Sequence, residues 1–272
     1  DTKEFRSVCK THYYVKEMIY SFKDPRVKEL EKGEFALPNL DWANASRPIP
    51  HTSVTSFQSI AFLMSKHGYE KMIDTFVSQM GGVFTPESTY AYIERHIRAY
   101  HVSPQKEDLE EIFHLIQLWG GNGSKTFYTQ KRKLKIEGYE EFVQSIVSCK
   151  SVFAVCISVD KLVNQIPNFN ITFAVKHVSI WLRFSPNSIL KLPFYDHHIA
   201  MNIMGRYTTN QAGKRIGVTN NHYRDLMNYW VKMLEAADFL EMDVLDIERH
   251  IYHFFKDGEH PSWDRFGRNE KL

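Results

Sequence analysis

Asp196 is the residue of this chain best placed to do chemistry. It follows Leu190-Lys191-Leu192-Pro193-Phe194-Tyr195, a rigid and mainly apolar stretch, and precedes His197-His198-Ile199-Ala200, whose apolar positions continue through Ile203 and Met204 to Gly205. This order puts an aspartate at the first turn of a short helix that ends at a glycine. A carboxylate held there can stabilise a developing positive charge, or orient and deprotonate a water molecule. Aspartate is also a favoured helix N-cap, worth about 1 kcal/mol, and the two roles are compatible. Upstream stands Lys176, the only lysine between Ile171 and Phe184. Its amine is either a Schiff-base nucleophile, an anion contact or a surface charge.

A second chemical element precedes that lysine. Ile166-Pro167-Asn168-Phe169-Asn170 reads as a tight turn opening the apolar helix Ile171 to Phe184. Backbone amides at such a turn attract an anion, and asparagine tolerates the left-handed conformations that a turn of this kind requires. The alternative is a plain loop with Asn170 as the N-cap of the helix. A third element is Trp119-Gly120-Gly121-Asn122-Gly123, where glycine permits close approach to a ligand. It is either one side of a binding pocket or a surface turn against which Trp119 packs. Beyond it Lys125, Lys131, Arg132, Lys133 and Lys135 concentrate positive charge, as a phosphate contact or as a solvated loop.

Residues 166–174 and 192–200 together resemble the helix-hairpin-helix DNA glycosylases. In that superfamily a Leu-Pro-Gly-Val-Gly hairpin grips the DNA backbone and a Val-Pro-Val-Asp-Thr-His-Val segment supplies the catalytic carboxylate. The segment Leu192-Pro193-Phe194-Tyr195-Asp196 is most similar to the 8-oxoguanine glycosylase-like branch, which reads Pro-Ile-Tyr-Asp-Ser-Arg-Val. Asn168 and Asn170 replace the two hairpin glycines. Thr172 stands where bifunctional members carry their lysine, which leaves Lys176 one turn further along the same face. The resemblance spans approximately residues 105 to 256 and is strongest from 166 to 205.

The resemblance implies a mainly α, two-lobed fold with a cleft between the lobes. It implies excision of a modified base by hydrolysis of the N-glycosidic bond, with the base flipped out of the duplex, and no metal or organic cofactor. Asp196 is then the catalytic residue, with Lys176 as a second candidate. DNA contacts fall to Asn168, Phe169, Asn170, Thr172, Lys191, His197, His198, Lys131, Arg132 and Lys133. The base pocket falls to Trp119, Gly120, Gly121, Asn122 and Tyr195. The expected partner is DNA bearing a damaged or modified base, in repair or in defence against viral DNA with hypermodified bases, with no membrane and no obligatory protein partner. The alternative is a non-catalytic DNA-binding or scaffold protein that keeps a degenerate version of the fold.

These residues need helices to position them, and the chain supplies helical periodicity. Met72, Ile73, Phe76, Val77 and Met80 recur at three-and-four spacing, as do Leu109, Ile112, Phe113 and Ile116, and Tyr139, Phe142, Val143, Ile146 and Val147. Tyr223, Leu226, Met227, Trp230 and Leu234 make another stripe, and Val244, Ile247, Ile251 and Phe254 a last one. The run Val152 to Val159 fits either a strand or a buried helix. With 272 residues, 43% apolar and 14% aromatic, the chain can bury a sizeable core. A division into an amino-terminal helical region, 1–104, and a glycosylase-like region, 105–272, is expected. The net charge of +2 does not by itself announce a nucleic-acid partner, and three cysteines without metal-type spacing point to reduced thiols. No apolar run approaches the roughly 18 residues that span a bilayer, so a cytoplasmic location is expected, at the nucleoid if the source is prokaryotic.

Overall fold

The computed structural model describes residues 54–121, 124–130, 134–166, 169–209, 211, 215–217 and 223–256. The chain is mainly helical. In order the elements are α1 (Val54–Met64), a π-type turn (Ser65–Tyr69), α2 (Glu70–Gln79), α3 (Pro86–Val102), α4 (Lys106–Gly120), α5 (Lys125–Thr129), α6 (Ile136–Ser148), α7 (Val152–Gln165) and α8 (Ile171–Phe184). They are followed by α9 (His197–Asn202), strands β1 (Tyr207–Thr209) and β2 (Arg215–Gly217), α10 (Tyr223–Leu240) and α11 (Val244–Lys256). The strands form one antiparallel pair with Thr208 opposite Ile216.

Two compact units emerge. Of the described residues, one takes in those of 49–150 and 157–191, the other those of 151–156 and 192–272. The boundary expected at 104/105 falls between α3 and α4, which pack against each other within the first of these units.

In the unit 49–150 plus 157–191, α4 and α8 are the central helices. From Ile112 to Gly120 every residue of α4 is buried, and α8 is buried at almost every position from Ile171 to Phe184. A helix segment buried on all sides must be enclosed by others, and α3, α6 and α8 all pack on α4. Phe113 is the hub of an aromatic core, with ring centroids 5.0 Å from Tyr139, 5.0 Å from His177 and 5.4 Å from Phe127. Helix starts carry local signals. Thr85 closes a capping box with Ser88 ahead of Pro86, and Asn170 Oδ1 accepts the Phe173 N–H at 3.1 Å to cap α8.

In the other unit, α10 and α11 pack on each other, and α9 packs on α11 and β2. Leu226, Met227, Trp230 and Met233 bury one side of α10, and Val244, Ile247 and Ile251 that of α11. Among the described residues no helix is long and apolar enough to cross a membrane.

Candidate functional site

Asp196 is built into its position from both sides. Before it, Leu192, Phe194 and Tyr195 are buried, and the Trp230 Nε1–H of α10 donates to the Pro193 carbonyl at 2.8 Å. After it, α9 begins with Asp196 as N-cap. A single carboxylate oxygen, Oδ1, accepts from the His198 N–H at 2.9 Å and the Ile199 N–H at 3.0 Å. The other oxygen makes no hydrogen bond among the described residues, and the side chain is half-buried rather than enclosed. One oxygen is therefore immobilised by the helix start while the second stays available to a ligand or a water.

The far end of α9 is equally constrained. Met204 N–H donates to Ile199 O at 3.2 Å and Arg206 N–H to Ala200 O at 2.7 Å, around Gly205 at φ +60°. That left-handed residue closes the helix with the bond pattern glycine makes cheaply. Arg206 is then buried, with Nη2 on Asp225 Oδ1 of α10 at 3.0 Å. Beneath Asp196 the Tyr195 and Tyr229 rings lie 5.3 Å apart, both buried. Burial holds the Tyr195 phenol well above its ordinary value. Asp225 and Asp196 push it the same way, and Arg206 opposes them. Burial does the same at Tyr229, helped by Glu248, Asp196 and Tyr195. Both phenols stay protonated across the physiological range. The His198 ring stands 5.9 Å from Tyr252 of α11, edge on.

The described hairpin candidates, and Trp119, Gly120 and Gly121 of the pocket candidates, belong to the other unit, whereas Tyr195 shares the unit of Asp196. Phe169 is buried, its ring 5.8 Å from Phe173 and 5.7 Å from His177, so it anchors the turn in the core. Asn170 spends its side chain on capping α8, and Thr172 is half-buried in the first turn. Trp119 is also buried, 5.1 Å from the Tyr90 ring. Behind it α4 ends at Gly120, and Gly121 takes φ +80° and ψ −158°, a conformation open to glycine alone. This loop lies against α8: Lys176 Nζ donates to the Gly120 carbonyl, and a Cβ on Gly120 would stand 3.8 Å from Phe173.

Two lysines thus serve helix ends. Lys176 meets the C-terminus of α4, and Lys191 Nζ donates to the Leu182 and Arg183 carbonyls at 2.6 and 2.9 Å, closing α8. Cations are stabilised there by the unsatisfied carbonyls of the last turn. Asn122, Lys131, Arg132, Lys133 and Asn168 lie outside the described residues, as does the side chain of His197.

Sequence reasoning missed a buried polar relay in the same unit. Trp181 Nε1–H donates to Tyr139 Oη at 2.9 Å. The Tyr139 hydroxyl and His177 Nδ1 share a hydrogen bond at 2.6 Å, and Gln117 Nε2 stands 3.0 Å from His177 Nε2. The relay ties α4, α6 and α8 together. Gln117 inside the apolar run Leu115 to Trp119 is its one visible signal. Arg206, Asp225 and Tyr229 were also missed.

Among the described residues no group of three or more His, Cys, Asp or Glu side chains is arranged to hold a metal ion. Cys149 and Cys156 are free thiols. Comparison with protein-family models, with curated proteins and with solved structures finds no match.

Proposed function

We propose that the chain is a DNA N-glycosylase that excises a modified base by hydrolysis, with Asp196 as its catalytic carboxylate. The observation that carries this reading is the division of labour within that carboxylate. Oδ1 is locked by two backbone amides, and the second oxygen is free to face a reactant. Cleaving a base from its sugar develops positive charge on the sugar ring. A preorganised carboxylate stabilises that charge without reorganising at the moment of reaction. The same oxygen can orient the attacking water and take its proton.

Further support comes from the residues around it. The carboxylate and the Phe169-Asn170 start of α8 belong to different compact units, which suits a two-lobed helix-hairpin-helix glycosylase. Lys176 is committed to the end of α4, which favours hydrolysis leaving an abasic site over elimination through a lysine adduct. A flipped modified base is the substrate, in repair or in defence against viral DNA, and the DNA substrate implies a cytoplasmic or nucleoid location.

The test is mass spectrometry of free bases released from oxidised, alkylated, deaminated and virally hypermodified DNAs by the wild type and by Asp196→Asn. Asparagine retains a capping oxygen for His198 and Ile199, so this variant keeps α9 while losing the charge. A base released by the wild type alone is expected. Release by both proteins would overturn the role of Asp196. DNA bound with no base released from any member would replace the enzyme with a binding protein.

A further inference from the structure

Arg206 and Asp225 are the least expected pair in the unit that carries Asp196. Both are buried, their contact is 3.0 Å, and Arg206 keeps Nε and Nη1 without a hydrogen-bond partner among the described residues. The Tyr195 and Tyr229 hydroxyls above them are likewise unpartnered. Stability does not account for this arrangement. Removing two charges from water costs several kcal/mol, and a packed apolar pair in their place is often neutral or stabilising. Unsatisfied buried donors add to that cost.

Position gives the pair a use. Helix α9 has six residues, too few to hold its own shape in water, so whatever fixes its two ends fixes Asp196. The first end is held by the Trp230 bond to Pro193 and by Tyr252 against His198. The second end is the Gly205 turn, and the residue that leaves this turn is Arg206. Its guanidinium reaches Asp225 in the first turn of α10, the helix that also carries Tyr229 and Trp230. One rigid helix therefore clamps the segment before Asp196 through Trp230 and the turn after α9 through Asp225.

We propose that the Arg206–Asp225 ion pair is a positioning pair for Asp196, pinning the end of α9 so that the free carboxylate oxygen keeps one direction. The inference rests on the reading of Asp196 as the catalytic carboxylate. The guanidinium meets the carboxylate through one buried charge-assisted bond, Nη2 to Oδ1, which ties the turn to α10 more strongly than an apolar contact would.

The experiment compares the full wild-type chain with the double variant Arg206→Met/Asp225→Leu, which replaces the ion pair with apolar side chains. Amide hydrogen exchange at His198 and Ile199 reports the Asp196 cap with no substrate present. Melting temperature reports the fold, and kcat and KM are measured on whichever DNA the wild type is found to act. The proposal expects a melting temperature close to wild type, exchange at these two amides faster by about tenfold or more, and kcat lower by roughly 10- to 100-fold at unchanged KM. Unchanged exchange in a folded variant would overturn it, whether or not any DNA is cleaved, and this separates its failure from failure of the glycosylase reading. If the apolar pair does not fold, Asp225→Asn keeps the shape and removes the charge from the bond. Wild-type exchange at both amides in Asp225→Asn overturns the proposal, and accelerated exchange supports it.

Discussion

Lowering the pH from 7 to 5 is expected to cost the unit built on α4 and α8 a large part of its stability, and the cause is two buried histidines. His114 and His177 are both almost completely enclosed, and burial pushes each imidazole down to about 3. At His177 the neighbouring His114 and Lys176 act in the same direction. In the unfolded chain both titrate near the ordinary value of 6.5. Between those limits the unfolded state binds a proton on each ring that the native state refuses. Stability is thus fully present above pH 6.5, falls as pH drops through the window from 6.5 to about 3, and levels off below it. The limiting slope is about 1.4 kcal/mol per pH unit for each histidine, which integrates to about 2 kcal/mol each, or about 4 for the pair, between pH 7 and 5. Urea denaturation at pH 7, 6 and 5 measures it directly. In His177→Gln, whose carboxamide can still hydrogen-bond Tyr139, the decline should shrink by about half. Identical pH slopes in the variant and the wild type would refute the argument, because the missing imidazole would then have carried none of the linkage.

Lys176→Ala should lower stability by about 1 to 2 kcal/mol in urea denaturation, through loss of a charge-assisted bond to the end of α4, and base release should survive; its abolition would move Lys176 into the catalytic machinery. Tyr139→Phe removes the centre of the relay and leaves the Trp181 N–H and the His177 ring without their partner, so a cost of about 2 to 4 kcal/mol is expected by the same measurement. Asn170→Ala should cost about 1 kcal/mol and Asn170→Gly only a few tenths. No measurable cost in Asn170→Ala would show that the side-chain cap on Phe173 contributes nothing at α8.

Local signals were legible in the sequence, and the reason is the range over which they act. Asp196 caps α9 through amides two and three residues ahead, and Asn170 caps α8 through one three residues ahead, so residue type and order suffice. The stripes at Leu109 to Ile116 and Tyr139 to Ile146 bury the side that their spacing marks. The run Val152 to Val159 was ambiguous only because the window was short. Carried on through all 14 residues of α7, it buries Val152, Val155, Cys156, Val159 and Leu162 and leaves Ile157 and Lys161 exposed, which is helical spacing. Strands β1 and β2, at three residues each, are too short for alternation to register.

What sequence could not supply is the meeting of residues far apart in the chain. Lys176 illustrates the consequence for function. By spacing it is a lysine near a turn, ahead of a carboxylate, on the polar side of an otherwise apolar helix, and a nucleophile and a surface charge are indistinguishable on those terms. Its role depends on what stands opposite α8, and that is the end of α4, where Gly120 has no side chain to satisfy its own carbonyl and the next residue bends away at a positive φ. An ammonium that completes a helix terminus gains from the carbonyls it covers and must give up that bond to attack anything. Asp196 is the opposite case, because the cap engages only one of its two oxygens, so structure and chemistry do not compete for the same atom. That difference, which no spacing rule encodes, is why the proposed reaction is placed on the carboxylate rather than on the amine.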